Sequence, residues 1–249
     1  MSSSSSSATP ASEYTMATAT AKFSHGFPAL LGLEFLEWEE GRVVVGMQVD
    51  DRHLNLGGRV HGGVLDLGYR YLASEGVRDI ARPFMQELSD ATDCLVAIGA
   101  PDGASMTYIQ VCQGSGPLVL RLTVGSRVAI GTSAVGRAFL AALPAKEREP
   151  YYEAIRAQNP DAWPDIQRGL ERAFKEYEQY GFVTSDGEWN RDVSAVGVPL
   201  ILDNGGQVVP FNCGGSSLRL SRRILIENLG PRLKEVVEQV RQMVQGRDI

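Results

Sequence analysis

The chain has 249 residues, of which 43% are hydrophobic and 22% charged, and a formal net charge of -6. That length admits one or two domains with a sizeable core. The acidic balance argues against a nucleic-acid-binding or anionic-membrane surface. Three scattered cysteines, Cys94, Cys112 and Cys213, form no CxxC. They suggest neither a disulfide framework nor a zinc site, and a reducing cytoplasm fits them. No apolar run approaches a membrane span, and the N-terminus lacks the charged-then-apolar order of a secretory signal. No metal, no cofactor and no membrane partner are expected.

Residues 1–22 are rich in Ser, Ala and Thr, a composition that predicts a disordered tail. Phe27 to Leu33 reads as a short helix ending at Gly32. Leu33 to Glu39 and the β-branched run Arg42 to Val49, joined at Gly41, read as a hairpin. Leu67 to Ser74 is helical in character. Val77, Ile80, Ala81, Phe84, Met85 and Leu88 continue at i, i+3, i+4 spacing, with Pro83 expected to kink the run or to start a new helix.

Cys94 to Ala100, Met106 to Gln113 and Leu118 to Val124 read as three strands, the first two joined by a turn at Pro101-Asp102-Gly103. The stretch Gly125 to Pro144 organises what surrounds it. Thr132 or Ser133 is a good N-cap for a helix carrying Ala134, Val135, Ala138, Phe139 and Ala142, and Pro144 ends it. A helix start lined by hydroxyls and free N–H groups is suited to an anion. A polar helix follows from Lys146 to Glu153 and breaks at Asn159-Pro160. Pro164 opens the next helix, which stops at Tyr180-Gly181. Ala195 to Leu202 and Gln207 to Cys213 read as a hairpin around Asp203-Asn204-Gly205-Gly206. A final amphipathic helix carries Leu229, Leu233, Val236, Val237, Val240 and Val244.

Two resemblances add to this reading. The segment HLNLGGRVHGG, His53 to Gly63, with LLGLEFLEWEEGRVVVGMQV before it, resembles hotdog-fold acyl-CoA thioesterases of the phenylacetyl-CoA type. That likeness covers about residues 27 to 66, half of a hotdog domain. It implies that Asn55, Gly62 and Gly63 sit where a thioester carbonyl is polarised. The family's helix carboxylate falls at Arg70, and Asp66 lies on another helical face. Thioester hydrolysis needs that acid beside an oxyanion donor, so the segment reads as a truncated or fused remnant.

The second covers about residues 67 to 246. LGYRYLAS, IARPFMQELSDAT, GSRVAIGTSAVGRAFLAALP, YEQYGFVTSDGEWNRDVSAVGVPL and LGPRLKEVVEQV, in that order, resemble the effector-binding domain of IclR-type transcriptional regulators. This likeness implies an α+β fold, a GAF-like antiparallel sheet flanked by helices, here preceded by a partial hotdog-like hairpin. Three parts are expected: a tail over 1–22, a hotdog-like segment over 23–66 and the effector-binding domain over 67–249.

It also implies a mostly apolar cup for a small carboxylate or aromatic acid. By position the cup is lined by Thr132, Ser133 and Ala134, by Ser185 and Asp186, by Ala195, and by Asn212 and Gly214. Several members of the family carry a cysteine at the position of Ala195 and serines at those of Asn212 and Gly214. A homodimer or homotetramer is implied. The family's winged helix-turn-helix has no counterpart in the pattern of residues 1 to 66, so DNA is an indirect partner. The function expected is effector sensing in a cytoplasmic regulator, with a truncated hotdog thioesterase as the alternative.

Overall fold

The computed structural model describes residues 32–39, 42–47, 62–114, 122–202 and 207–245. Contacts divide the chain into two units, Met1–Gly68 and Tyr69–Ile249. In the first, β1 (Leu33–Glu39) and β2 (Arg42–Met47) pair antiparallel, with the register shifting between Phe35 and Glu37. The hairpin expected from the β-branched run is therefore present. The tail over 1–22, the helix at Phe27 to Leu31 and the residues His53, Asn55, Gly57, Gly58 and His61 lie outside the described residues.

Helix α1 (Gly62–Thr92) spans the division between the units and runs through Pro83. No new helix starts at Pro83. Proline removes one i→i−4 hydrogen bond. Val77, Ile80, Ala81, Met85 and Leu88 nevertheless bury one stripe of the helix on both sides of it, and tertiary packing holds the run together.

The second unit is built on six antiparallel strands in the order β5-β4-β3-β8-β7-β6. They are β3 (Leu95–Asp102), β4 (Ser105–Cys112), β5 (Arg127–Ala129), β6 (Val183–Asp186), β7 (Val193–Ile201) and β8 (Val208–Ser216). The third predicted strand, Leu118 to Val124, falls mostly outside the described residues. Residues 118–121 are not described, Leu122 to Val124 are not strand, and the strand pairing with β4 is Arg127–Ala129. The turn at Asp203 to Gly206 also lies outside the described residues.

Both faces of this sheet are covered, so both alternating sets of side chains are buried. On one face Val96, Ile98, Val196, Val198, Leu200, Val209, Phe211 and Cys213 meet the apolar stripe of α1 and the C-terminal helices. Those helices are α5 (Arg222–Ile224), a π-helical turn (Leu225–Leu229) and α6 (Gly230–Gln245). Leu225, Leu229 and Leu233 are the largest fully buried side chains they contribute.

The other face meets α2 (Ala134–Ala142), α3 (Ala145–Gln158) and α4 (Trp163–Tyr180). Leu95, Ala97, Met106, Tyr108 and Val128 pack there with Phe139, Leu140, Ile155 and Leu170. Helix α2 is buried along nearly its whole length, from Ala134 to Ala141, as a helix apolar on all sides must be. It lies almost on the backbone of β7: a Cβ added at Gly197 would fall 2.2 Å from the Ala134 carbonyl oxygen. Gly181 ends α4 at a φ of 77°, a left-handed cap that suits glycine.

Candidate functional site

The site forms where α2 begins above the middle of the sheet. Ser133 is the N-cap: its backbone is extended and its Oγ accepts the Gly136 N–H at 3.3 Å. The expectation that Thr132 or Ser133 caps the helix resolves to Ser133. The first N–H groups of a helix have no intrahelical partner, and here the residues that open the helix, Ser133 and Ala134, line a narrow cavity of about 20 Å³. That is room for about one water molecule, below the range for ligand pockets, about 300–1,000 Å³.

The floor of the cavity comes from β7 and β8. Ala195 pairs with Gly214 and Gly197 with Asn212 across that ladder. Small residues at Ala195 and Gly214 keep the floor low. A Cβ at Gly214 would sit 2.6 Å from the Ala195 Cβ, so a larger side chain there fills the cup or spreads the strands. Leu95, Tyr108, Leu122, Trp189 and Val193 form the apolar walls. Ser133, Ser185, Asn212 and the Tyr108 hydroxyl supply the polar groups, and no charged side chain is among the described lining residues.

Two of these polar groups are placed by bonds of their own. Ser185 Oγ donates to the Thr132 carbonyl at 2.7 Å, tying β6 to the turn before α2. Burial pushes the Tyr108 phenol up to about 12, and a hydrogen bond from Asn212 pulls the other way.

Behind the cup lies an ionic network. Arg137, on α2 and 2% exposed, donates to the Gly131 carbonyl at 3.2 Å and to the Thr184 carbonyl at 3.0 Å, and pairs with Glu188. Glu188 also pairs with Arg172 of α4. This holds the loop that carries Trp189 to the cavity wall. Glu176, on the same helix as Arg172, accepts the Thr184 N–H at 2.8 Å and pairs with Arg222. The helices above the sheet are thus fastened to β6, the strand that contributes Ser185.

Of the eight residues named from sequence, Ser133, Ala134, Ser185, Ala195, Asn212 and Gly214 line this one cavity. Thr132 and Asp186 do not. Thr132 enters through its carbonyl, as the acceptor for Ser185. Asp186 is exposed, and its Oδ1 accepts from Ser194 Oγ at 2.6 Å. The alternation of β6 accounts for this, because successive side chains point to opposite sides: if Ser185 faces the cup, Asp186 cannot. Sequence reasoning missed Leu95, Tyr108, Leu122, Trp189 and Val193. In a chain 43% hydrophobic, apolar wall residues carry no mark of their own. Trp189 follows β6 in the stretch Gly187-Glu188-Trp189, and nothing in its spacing marks it as a neighbour of the helix start.

Of the residues assigned to the thioesterase alternative, Asn55 is not described, and Gly62 and Gly63 form the first turn of α1. Among the described residues, no group of His, Cys, Asp and Glu could hold a metal ion, and no helix is long and apolar enough to cross a membrane.

Comparison with known proteins agrees with the fold and with the order of motifs. The family model for the bacterial transcriptional regulator IclR C-terminal domain matches residues 69–242. The HTH-type transcriptional regulator TsaQ1/TsaQ2 of Comamonas testosteroni is 32% identical over 198 residues, 78% of this chain and 70% of that protein. The crystal structure of an IclR family transcriptional regulator from Brucella abortus superimposes with a TM-score of 0.64 at 43% identity, covering 77% of this chain and 73% of that one. The inducer-binding domain of PobR from Acinetobacter, a double mutant solved with 3-hydroxybenzoic acid, shares the fold. Its TM-score is 0.55 at 20% identity, over 66% of this chain and 97% of that one. These matches lend no support to the thioesterase alternative.

Proposed function

This chain belongs to the IclR family of bacterial transcriptional regulators and carries the family's effector-binding domain, and from that premise we propose that residues 67–249 sense a small carboxylic or aromatic acid in the cup at the start of α2. The observation that carries this reading is the convergence of the Ser133-capped helix start, Ser185 and Asn212 on one small apolar cavity. A helix N-terminus with hydroxyl and amide neighbours holds a carboxylate without a cationic side chain. The PobR domain, which shares this fold, was solved with 3-hydroxybenzoic acid, and a ligand of that class is in keeping with this reading.

A ligand in the cup touches α2, β6, β7 and β8 together. Binding favours the arrangement in which these elements are closest, and the preference spreads to self-association as a shift between states. The active species in this reading is a cytoplasmic homodimer or homotetramer. Residues 67–249 act on DNA only indirectly.

The test is a thermal-shift screen of the purified chain against small carboxylic acids, aromatic acids and acyl-CoAs. A ligand at a hundred times its dissociation constant stabilises by about 2.7 kcal/mol. The expected result is a raised Tm with a free acid, and a smaller ligand-induced shift in Ser133→Ala. That variant also loses about 1 kcal/mol as a helix cap, so the comparison is between shifts and not between Tm values. A shift confined to acyl-CoAs, with release of thiol, overturns the reading.

A further inference from the structure

Two of the cysteines stand together, and the effector reading uses neither. Cys94 precedes β3, and Cys213 lies on β8 opposite Val96. Both side chains belong to the core on the α1 side of the sheet. A Cβ added at Gly215, two residues along β8 from Cys213, would meet the Cys94 Sγ at 3.5 Å. Residues two apart on a strand share a face, so the Cys94 sulfur lies against the row of β8 that carries Cys213. Cys94 stands just outside the β3–β8 ladder, which ends at Leu95 and Gly214, and it can close on Cys213 without breaking a ladder pair.

The turn that presents Cys94 is held from several sides. Asp93 adopts a φ of 52°, in the left-handed region. Ser89 Oγ donates to the Cys94 carbonyl at 2.6 Å. Arg219 donates to the Thr92 carbonyl at 3.4 Å and pairs with Asp93. Arg219 and Asp93 are both exposed, so the pair of thiols borders solvent. A hydrogen bond with Cys213 holds the Cys94 thiol down to about 7 against its burial; Thr92 and Arg219 act with that bond and Asp93 against it. Burial pushes the Cys213 thiol up. A sulfur that ionises readily beside one that keeps its proton suits an attacking and a resolving cysteine. Cys112 has no such neighbour: burial pushes its thiol up, and it donates to the Arg82 carbonyl at 3.8 Å.

We propose that Cys94 and Cys213 are a site of reversible oxidation by a hydroperoxide, with Cys94 reacting first and Cys213 closing the disulfide. The Cys94 sulfur attacks one peroxide oxygen. An S–O bond forms, the O–O bond breaks, and the departing oxygen takes a proton, leaving a sulfenic acid on Cys94. The Cys213 sulfur then attacks the Cys94 sulfur. The S–S bond forms, the S–O bond breaks, and the hydroxide leaves as water with the Cys213 proton. Two electrons pass from the two thiols to the peroxide, and a small dithiol reverses the step by exchange. The bond ties the end of α1 to β8. This site stands independently of the acid-binding reading.

The experiment treats the reduced full chain, at neutral pH and without denaturant, with a few equivalents of hydrogen peroxide. The expected result is a fall in free thiols from three to one, an intact mass lower by two hydrogens, and a Cys94–Cys213 link in an unreduced chymotryptic digest. Dithiothreitol restores all the thiols. The rate rises with pH and levels off above about 7. In Cys213→Ala the reaction stops at the Cys94 sulfenic acid, which dimedone captures, and Cys112→Ala reacts as the wild type does. The wild-type digest decides the matter even if Cys213→Ala does not fold. Thiols that react only after denaturation overturn the proposal. So do oxidation that begins at Cys112, a disulfide between two copies of the chain, and a Cys94 sulfenic acid that persists in the wild type.

Discussion

The two faces of the six-stranded sheet are built from the same strands and serve opposite ends. The face toward α1 and α6 is filled with large apolar side chains, among them Phe211, Leu200, Met85 and Leu233, all at most 0% exposed. The face toward α2 has Ala195, Gly197, Asn212 and Gly214 in the corresponding rows of β7 and β8. Close packing fills the middle of the first face, and the cavity left on that side, of about 420 Å³, lies at the margin where Val198 and Pro199 of β7 meet Val237 and Glu238 of α6. On the second, small residues leave a cavity. One strand supplies both faces, because residues two apart share a side: Phe211 and Cys213 go to the core, and Asn212 and Gly214 to the cup.

The largest effect is expected where packing alone acts. Phe211→Ala removes a fully buried ring from the filled face and should lower stability by about 3–5 kcal/mol in urea titration. Its effect on ligand affinity at temperatures where the fold persists should be small. If affinity falls as steeply as stability, the two faces are not independent.

A smaller loss is expected on the cup side. Arg137→Met leaves the Gly131 and Thr184 carbonyls without their donor and Glu188 with Arg172 alone. About 2–3 kcal/mol is expected by the same titration, since Glu188 is partly solvated and keeps one partner. Unlike Phe211→Ala, this variant should also move the fluorescence of Trp189, because the loop carrying it is no longer held to α2.

The smallest effect concerns pH. The Tyr108 phenol is raised by burial from 10.0 to about 12. Below pH 10 it is neutral in both folded and unfolded chains, and its contribution to stability is fully present. Between 10 and 12 the unfolded chain releases the proton and the folded one does not, so stability falls as pH rises through that window. Tyr108→Phe should flatten that part of the pH–stability curve, on top of a pH-independent loss of about 1–3 kcal/mol from the buried Asn212 amide that loses its partner. An unaltered slope would mean that the hydroxyl reaches solvent.

Much of this was legible in advance, and for identifiable reasons. Gly181, Asn159-Pro160 and the Ser133 cap mark helix ends through local backbone chemistry, and the structure puts helix ends there. Six cup residues could be named because the ordered motifs resemble a family whose cup lies at those positions. Pro83 starts no new helix, because its cost is local while the burial of Val77 to Leu88 that outweighs it is not.

What the sequence by itself determined is therefore most of the helices and strands of the second unit, the caps at Ser133 and Gly181, and membership of a family of effector-binding domains. These follow from residue type, spacing and order along the chain. The tertiary structure alone decided which face of each strand looks into the cup, and so admitted Ser185 and excluded Asp186. It also brought Tyr108, Trp189 and Asn212 around one cavity from three distant stretches of chain. Side-chain direction and hydrogen-bond satisfaction depend on neighbours in space, and no spacing along the chain encodes them.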